Sequence, residues 1–159
     1  MLQSWPQLQK DFELILIGVV DDSFRDVFQD GIRIIPPLLQ SDLHAGLANY
    51  DIGMAMDLTG RDSNRDIALT NKILAYYQAG LYIMATNTAA QKDFMNRHPG
   101  HGIVFKQDDR ALFLSAILAI KNDIIRIRAG SLKRYQDAYA DNWENESGKL
   151  VHMWKESLH

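Results

Sequence analysis

Thr70, Asn71 and Lys72 stand together directly after a polar stretch, LTGRDSNRDIAL, at residues 58–69. The apolar spacing that follows, through residue 79, predicts a helix whose first turn holds these residues. A helix start offers unpaired backbone N–H groups and the positive end of the peptide dipole. A hydroxyl, an amide and an ammonium added there make a site for an anion, most naturally phosphate. Read alone, Thr70 is only a cap and Lys72 a solvated side chain. A second group is acidic. Asp21 and Asp22 follow one apolar run, Asp57 ends another, Thr86 ends a fourth and Lys106 follows a fifth. Carboxylates converging at strand ends suit a hard divalent cation, yet acidic residues after strands also serve as helix caps. His98 and His101 offer two metal ligands, but His44, His152 and His159 are scattered, so His98-Pro-Gly-His101 reads as a turn and no metal is expected. Lys121, Arg126, Arg128, Lys133 and Arg134 read as a solvated helix face. Trp143, Met153 and Trp154 read as the apolar stripe of the last helix.

Short apolar runs alternate with amphipathic segments, and these must position the residues above. The runs 13–20, 32–35, 51–57, 81–86 and 102–105 suit buried strands. Between them, residues 23–29, 41–49, 70–79, 88–97 and 108–120 carry helical spacing, with Ser41, Thr70, Asp108 and Asp109 placed as caps and Gly80 as a stop. Such alternation predicts an α/β fold: a three-layer, Rossmann-like parallel sheet of about five strands, with helices on both faces. After Asn122 two helices follow without a strand, at 123–139 and 143–157, and are expected to pack across the sheet. The whole chain, 1–159, reads as one domain with a helical tail at 123–159. In open parallel sheets, ligands bind beyond the carboxyl ends of the strands, which directs attention to the loop at 58–69.

Composition removes several function classes. The absence of cysteine excludes a disulfide scaffold, thiolate catalysis and iron–sulfur ligation. A net charge of −3 advertises no nucleic-acid partner. No run reaches the ~18 apolar residues of a membrane span, and no secretory leader pattern opens the chain. Neither a Gly-x-Gly-x-x-Gly fingerprint nor a Gly-x-Ser-x-Gly elbow is present.

The stretch NRDIALTNKILAYYQAGLYIMAT at residues 64–86 resembles the signature region of retaining glycosyltransferases of the GT-B fold, family 4. Thr70-Asn71-Lys72-Ile73-Leu74, Tyr76, Ala79-Gly80 and Ala85-Thr86 fall in step with that pattern. FELILIG at 12–18, Ile32-x-Ile34-x-Pro36, Ser41-Asp42-Leu43, Tyr50-Asp51-Ile52, Gly102-Ile103-Val104 and Asn142-Trp143-Glu144 agree with further pieces of it. The resemblance implies one half of a GT-B fold, the nucleotide-sugar-binding domain of an enzyme that transfers sugar to a glycan or lipid-linked acceptor. It places the diphosphate near Thr70, Asn71 and Lys72, the sugar against Ser63, Asn64 and Arg65, and base and ribose by Pro36, Pro37, Leu38 and Tyr76. The two glutamates that the family carries in this region fall on Ile67 and Ala75 here, so donor binding would be weakened or rearranged. The family's first strand and its acceptor-binding half have no counterpart in this sequence, so the fragment alone is not expected to turn over. Its partners would be a nucleotide-sugar, as donor substrate rather than cofactor, and that other half. Its place would be the cytoplasm, with peripheral contact at the inner face of the membrane open to the full-length protein.

Asp21, Asp22, Asp57, Thr86 and Lys106 together are also similar to the site of a phosphoacceptor receiver domain, with Asp57 as phosphoacceptor. A non-catalytic α/β binding module is the third reading.

Overall fold

Five apolar runs become five strands, each cut to the length its neighbours can pair. The computed structural model describes residues 4–21, 31–57, 67–106, 109–141 and 143–157. Helix α1 (Trp5–Leu8) leads into β1 (Leu14–Ile17), and then come β2 (Ile32–Ile35), α2 (Gln40–Leu47) and β3 (Ile52–Ala55). Helix α3 (Asn71–Gln78), β4 (Tyr82–Thr86), α4 (Ala89–Arg97) and β5 (Gly102–Phe105) follow. The chain closes with α5 (Arg110–Asn122), α6 (Ile124–Ala129), α7 (Ser131–Ala140) and α8 (Trp143–Ser157). All pairing is parallel, and the α/β, Rossmann-like class is as the alternation predicts. The expected helix at 23–29 lies outside the described residues. Among the described residues no helix is long and apolar enough to cross a membrane.

Among the described residues the strands form two ladders, β1–β2 and β3–β4–β5, rather than one sheet. One apolar cluster nevertheless runs beneath both. On one face, Trp5 and Leu8 of α1, Phe113, Ile117 and Ile120 of α5, and Ile127 of α6 bury Met84 and Phe105, and Leu14 and Ile32 pack against the same cluster. On the other face, Ile73 and Tyr77 of α3, Phe94 and Met95 of α4, and Ala138 of α7 cover Ala55, Ile83 and Ala85. Each large side chain removed from water this way contributes roughly 1.5–3 kcal/mol. Two polar ties hold α1 to α5: Arg110 Nε donates to Ser4 Oγ at 3.0 Å, and Lys121 meets Asp11 at 2.7 Å.

Three expectations about the helices need correction. Ser41 is not a cap: α2 starts one residue earlier, from an extended Leu39, and the Ser41 hydroxyl turns to Asp42. The helix expected over 123–139 breaks at Gly130, where Arg134 reaches back to the carbonyl oxygens of Gly80 and Ile127 at 2.9 Å each. Arg134 is therefore a buried structural cation, not part of a solvated face. Finally, the last helix does not pack its stripe across the sheet: Leu150, Met153 and Trp154 are exposed. Other signals hold. Thr88 and Asp109 cap α4 and α5 by accepting from Gln91 N–H and Leu112 N–H, and Gly80, with φ +71°, ends α3 in a conformation that side chains disfavour.

Candidate functional site

Asp57 lies two residues beyond β3, and its buried carboxylate is the centre on which the site converges. Oδ1 accepts from Lys72 Nζ at 2.9 Å, while Oδ2 accepts from Thr70 Oγ1 at 3.0 Å and from Gln91 Nε2. Lys72 Nζ also donates to the Met56 carbonyl at 3.1 Å. The Asp57 backbone is fixed as well. Its N–H donates to Thr86 Oγ1 at 3.0 Å, and that hydroxyl lies 3.0 Å from both the Asp57 carbonyl oxygen and Gln91 Oε1, with one proton to serve them. Thr86, Thr88 and Gln91 are fully or almost fully buried. This is a closed polar network at the carboxyl ends of β3 and β4, the place where parallel sheets present ligand sites.

Local structure explains why these side chains meet. Thr70 occupies the N-cap position of α3 with extended backbone, but its hydroxyl does not cap the helix. It turns to Asp57 instead. Thr70 thus gives the first N–H groups of α3 no side-chain cap, and Lys72 stands in the same turn with 47% of its side chain exposed. Burial pushes the Asp57 carboxyl up, but the bonds from Lys72, Thr70 and Gln91 and the lysine's charge outweigh it and hold the group below the ordinary aspartate value. Tyr76 lies one turn along α3 against Gly53 of β3, and burial together with the Asp57 charge raises its phenol.

The structure brings together Thr70, Lys72 and Asp57, with Tyr76 close enough for Asp57 to act on its phenol. Asn71 is exposed at the first position of α3. Pro36, Pro37 and Leu38 are exposed at the end of β2, in the other ladder. Ser63, Asn64 and Arg65, like Asp22, lie outside the described residues. Ile67, where the family would carry a glutamate, is 73% exposed. The cation that Asp57 holds is Lys72, not Lys106. Sequence reasoning treats Asp57 as a strand end or phosphoacceptor and passes over Gln91. A signal for Gln91 exists: Thr88-x-x-Gln91 has capping-box spacing. Here the glutamine departs from that box and crosses to Asp57.

His98 and His101 sit elsewhere, on the helix-covered face of β4 and β5. Both rings pack against Tyr77, at 4.5 and 4.8 Å between centroids. Among the described residues no group of three metal-binding side chains assembles. No family model matches the chain, and no curated protein matches it.

Proposed function

We propose that this chain is the donor-side domain of a glycosyltransferase-like protein, binding the diphosphate of a nucleotide-sugar at the head of α3. One observation carries the reading: a helix start that the Thr70 hydroxyl leaves uncapped and a half-exposed lysine stand together beyond the carboxyl ends of β3 and β4. Backbone N–H groups of α3 and the Lys72 ammonium would stabilise the negative charge on a leaving diphosphate. Asp57, Thr70 and Gln91 hold that ammonium in place rather than bind the donor. Ser63, Asn64 and Arg65 would face the sugar, and Pro36, Pro37, Leu38 and Tyr76 the base and ribose. The family's two carboxylates are replaced by Ile67 and Ala75, so the donor would be held more weakly than in complete members. Transfer would need the acceptor-binding half, on the cytoplasmic side of a membrane where a lipid-linked acceptor is presented.

Titration of the chain with UDP, GDP and their sugars, followed by amide chemical shifts of Asn71–Gln78, tests this. Shifts in the first turn of α3 that vanish in Lys72→Ala are expected. No shift with any of them at millimolar concentration would reduce the proposal to a likeness of fold.

The receiver reading has one observation in its favour, the direct contact of Asp57 with Thr86. Against it, both Asp57 oxygens are already engaged by Lys72, Thr70 and Gln91. Acetyl phosphate with magnesium is therefore expected not to label Asp57, and a phosphoryl group found there by mass spectrometry would favour the receiver.

A further inference from the structure

We propose that His98 and His101 form an acid-operated latch, fastening the C-terminal half of α7 to the domain near neutral pH and releasing it as the imidazoles protonate. The two rings are wedged between α3 and α7. His101 is 4% exposed; its Nε2 faces Asp137 of α7 at 3.5 Å, and its Nδ1 is buried with no hydrogen-bond partner among the described residues. His98 closes α4, packs on Phe94 and Tyr77, and points Nδ1 toward Asp141 at 3.8 Å. Tyr77 of α3 donates its hydroxyl to Asp141 at 2.7 Å. The charged and titratable groups facing the pair are thus Asp137, itself held by Lys133 at 2.7 and 2.9 Å, Asp141 and Arg134 from α7 and its end, Arg97 from α4 and Tyr77 from α3.

Neutral His101 can donate Nε2–H to Asp137 and leave Nδ1 as a bare acceptor. Protonation turns Nδ1 into a charged donor with nowhere to donate, a far larger cost in a dry site. Asp137 answers only the other nitrogen. Burial lowers both imidazoles, against the pull of Asp141 on His98 and of Asp137 on His101; Arg97 and Arg134 add to the lowering. Because the folded value lies below the unfolded one, the stabilisation is complete above the ordinary histidine value of 6.5 and is lost as pH falls below it. Each histidine can then change the opening equilibrium by up to about tenfold per pH unit. Arg134, bonded to Gly80 and Ile127, does not titrate in this range, so the N-terminal half of α7 stays fastened.

The test is site-resolved NMR on the intact chain. The ring resonances of His98 and His101 are expected to titrate below pH 6.5. Amide protection at Tyr135–Ala140, corrected for intrinsic exchange, is expected to fall at least ~3-fold between pH 7.5 and 5.5. In the His98→Gln/His101→Gln double variant that fall disappears. Rings titrating at or above 6.5, constant protection in the parent, or an equal fall in the double variant would each overturn the latch. If the double variant does not fold, the parent's ring titration and protection profile decide alone.

Discussion

Asp57 illustrates how a side chain's role can depend on partners remote in sequence. Its neighbours in the chain announce only the end of a strand, and the partners that define it come from 13, 15 and 34 residues away. Removing it in Asp57→Ala leaves Gln91 buried without its acceptor and Lys72 without its anion, and is expected to cost about 3 kcal/mol in urea denaturation. Lys72→Ala should cost the fold less than Asp57→Ala, because the lysine is half in water and Thr70 and Gln91 still hold the carboxylate. If the proposed function holds, the same change should weaken diphosphate binding by about 1.5–3 kcal/mol, the size of a charged hydrogen bond. Stability and binding thus separate at this residue. The pH dependence separates too. The lowered Asp57 carboxyl contributes stability present above the ordinary aspartate value of 3.8 and lost as pH falls through its lower folded value. Acid unfolding should therefore show this phase below the histidine phase, and Asp57→Asn should remove only the lower one. The place of Thr70 and Lys72 at the start of α3 was legible because helix-start signals are local; Gln91 was not, because its contact runs from α4 to the end of β3.

Elements were legible where a boundary has a local cause. Gly80 ends α3, Thr88 opens α4 and Asp109 opens α5, each by a bond within a few residues. The break at Gly130 carries a distant partner: Arg134, which takes the Ile127 carbonyl beside it, also takes that of Gly80 from another part of the chain. The exposed stripe of α8 has no local signature either, because amphipathic spacing says that a face is apolar but not what covers it. Close packing between elements makes a sharper prediction. A Cβ on Gly102 would stand 1.9 Å from the Ile83 carbonyl oxygen, and one on Gly53 2.3 Å from Tyr76 Cγ. The first neighbour is backbone of the adjoining strand, so Gly102→Ala must part β4 from β5. The second is the root of the Tyr76 side chain, Cβ and Cγ, so Gly53→Ala must push α3 away from β3. Both variants should lose stability in thermal melts, Gly102→Ala by more than about 3 kcal/mol and Gly53→Ala by less.

For the whole molecule, the division into two ladders bears on which sheet order the chain follows. Hydrogen bonds alternate along a parallel strand, so the direction of each residue can be read from its neighbours. Leu14 and Gly18 donate to Gly31 and Ile35, which turns Leu14, Leu16 and Gly18 toward β2 and leaves Ile15 and Ile17 on the other edge. Tyr82 donates to Asp51, which turns residues 51, 53 and 55 toward β4 and leaves Ile52 and Met54 on the edge away from it. Among the described residues those two edges do not pair. In the 2-1-3-4-5 order of a receiver the first and third strands are neighbours, and these groups would satisfy one another. In the 3-2-1-4-5-6 order one further strand stands between the pair that corresponds to β1 and β3 here. Among the described residues β1 and β3 thus do not meet as the 2-1-3-4-5 order requires. All four residues of β1 are only half-buried, although its sequence is apolar throughout. Amide exchange distinguishes the orders. Leu16 and Gly18 should be protected, while Ile15, Ile17, Ile52 and Met54 should exchange at least ~10-fold faster, the penalty for lacking about 1.4 kcal/mol of hydrogen-bond protection. Uniform protection along β1 and β3 would mean that the two strands pair, and would restore the receiver order.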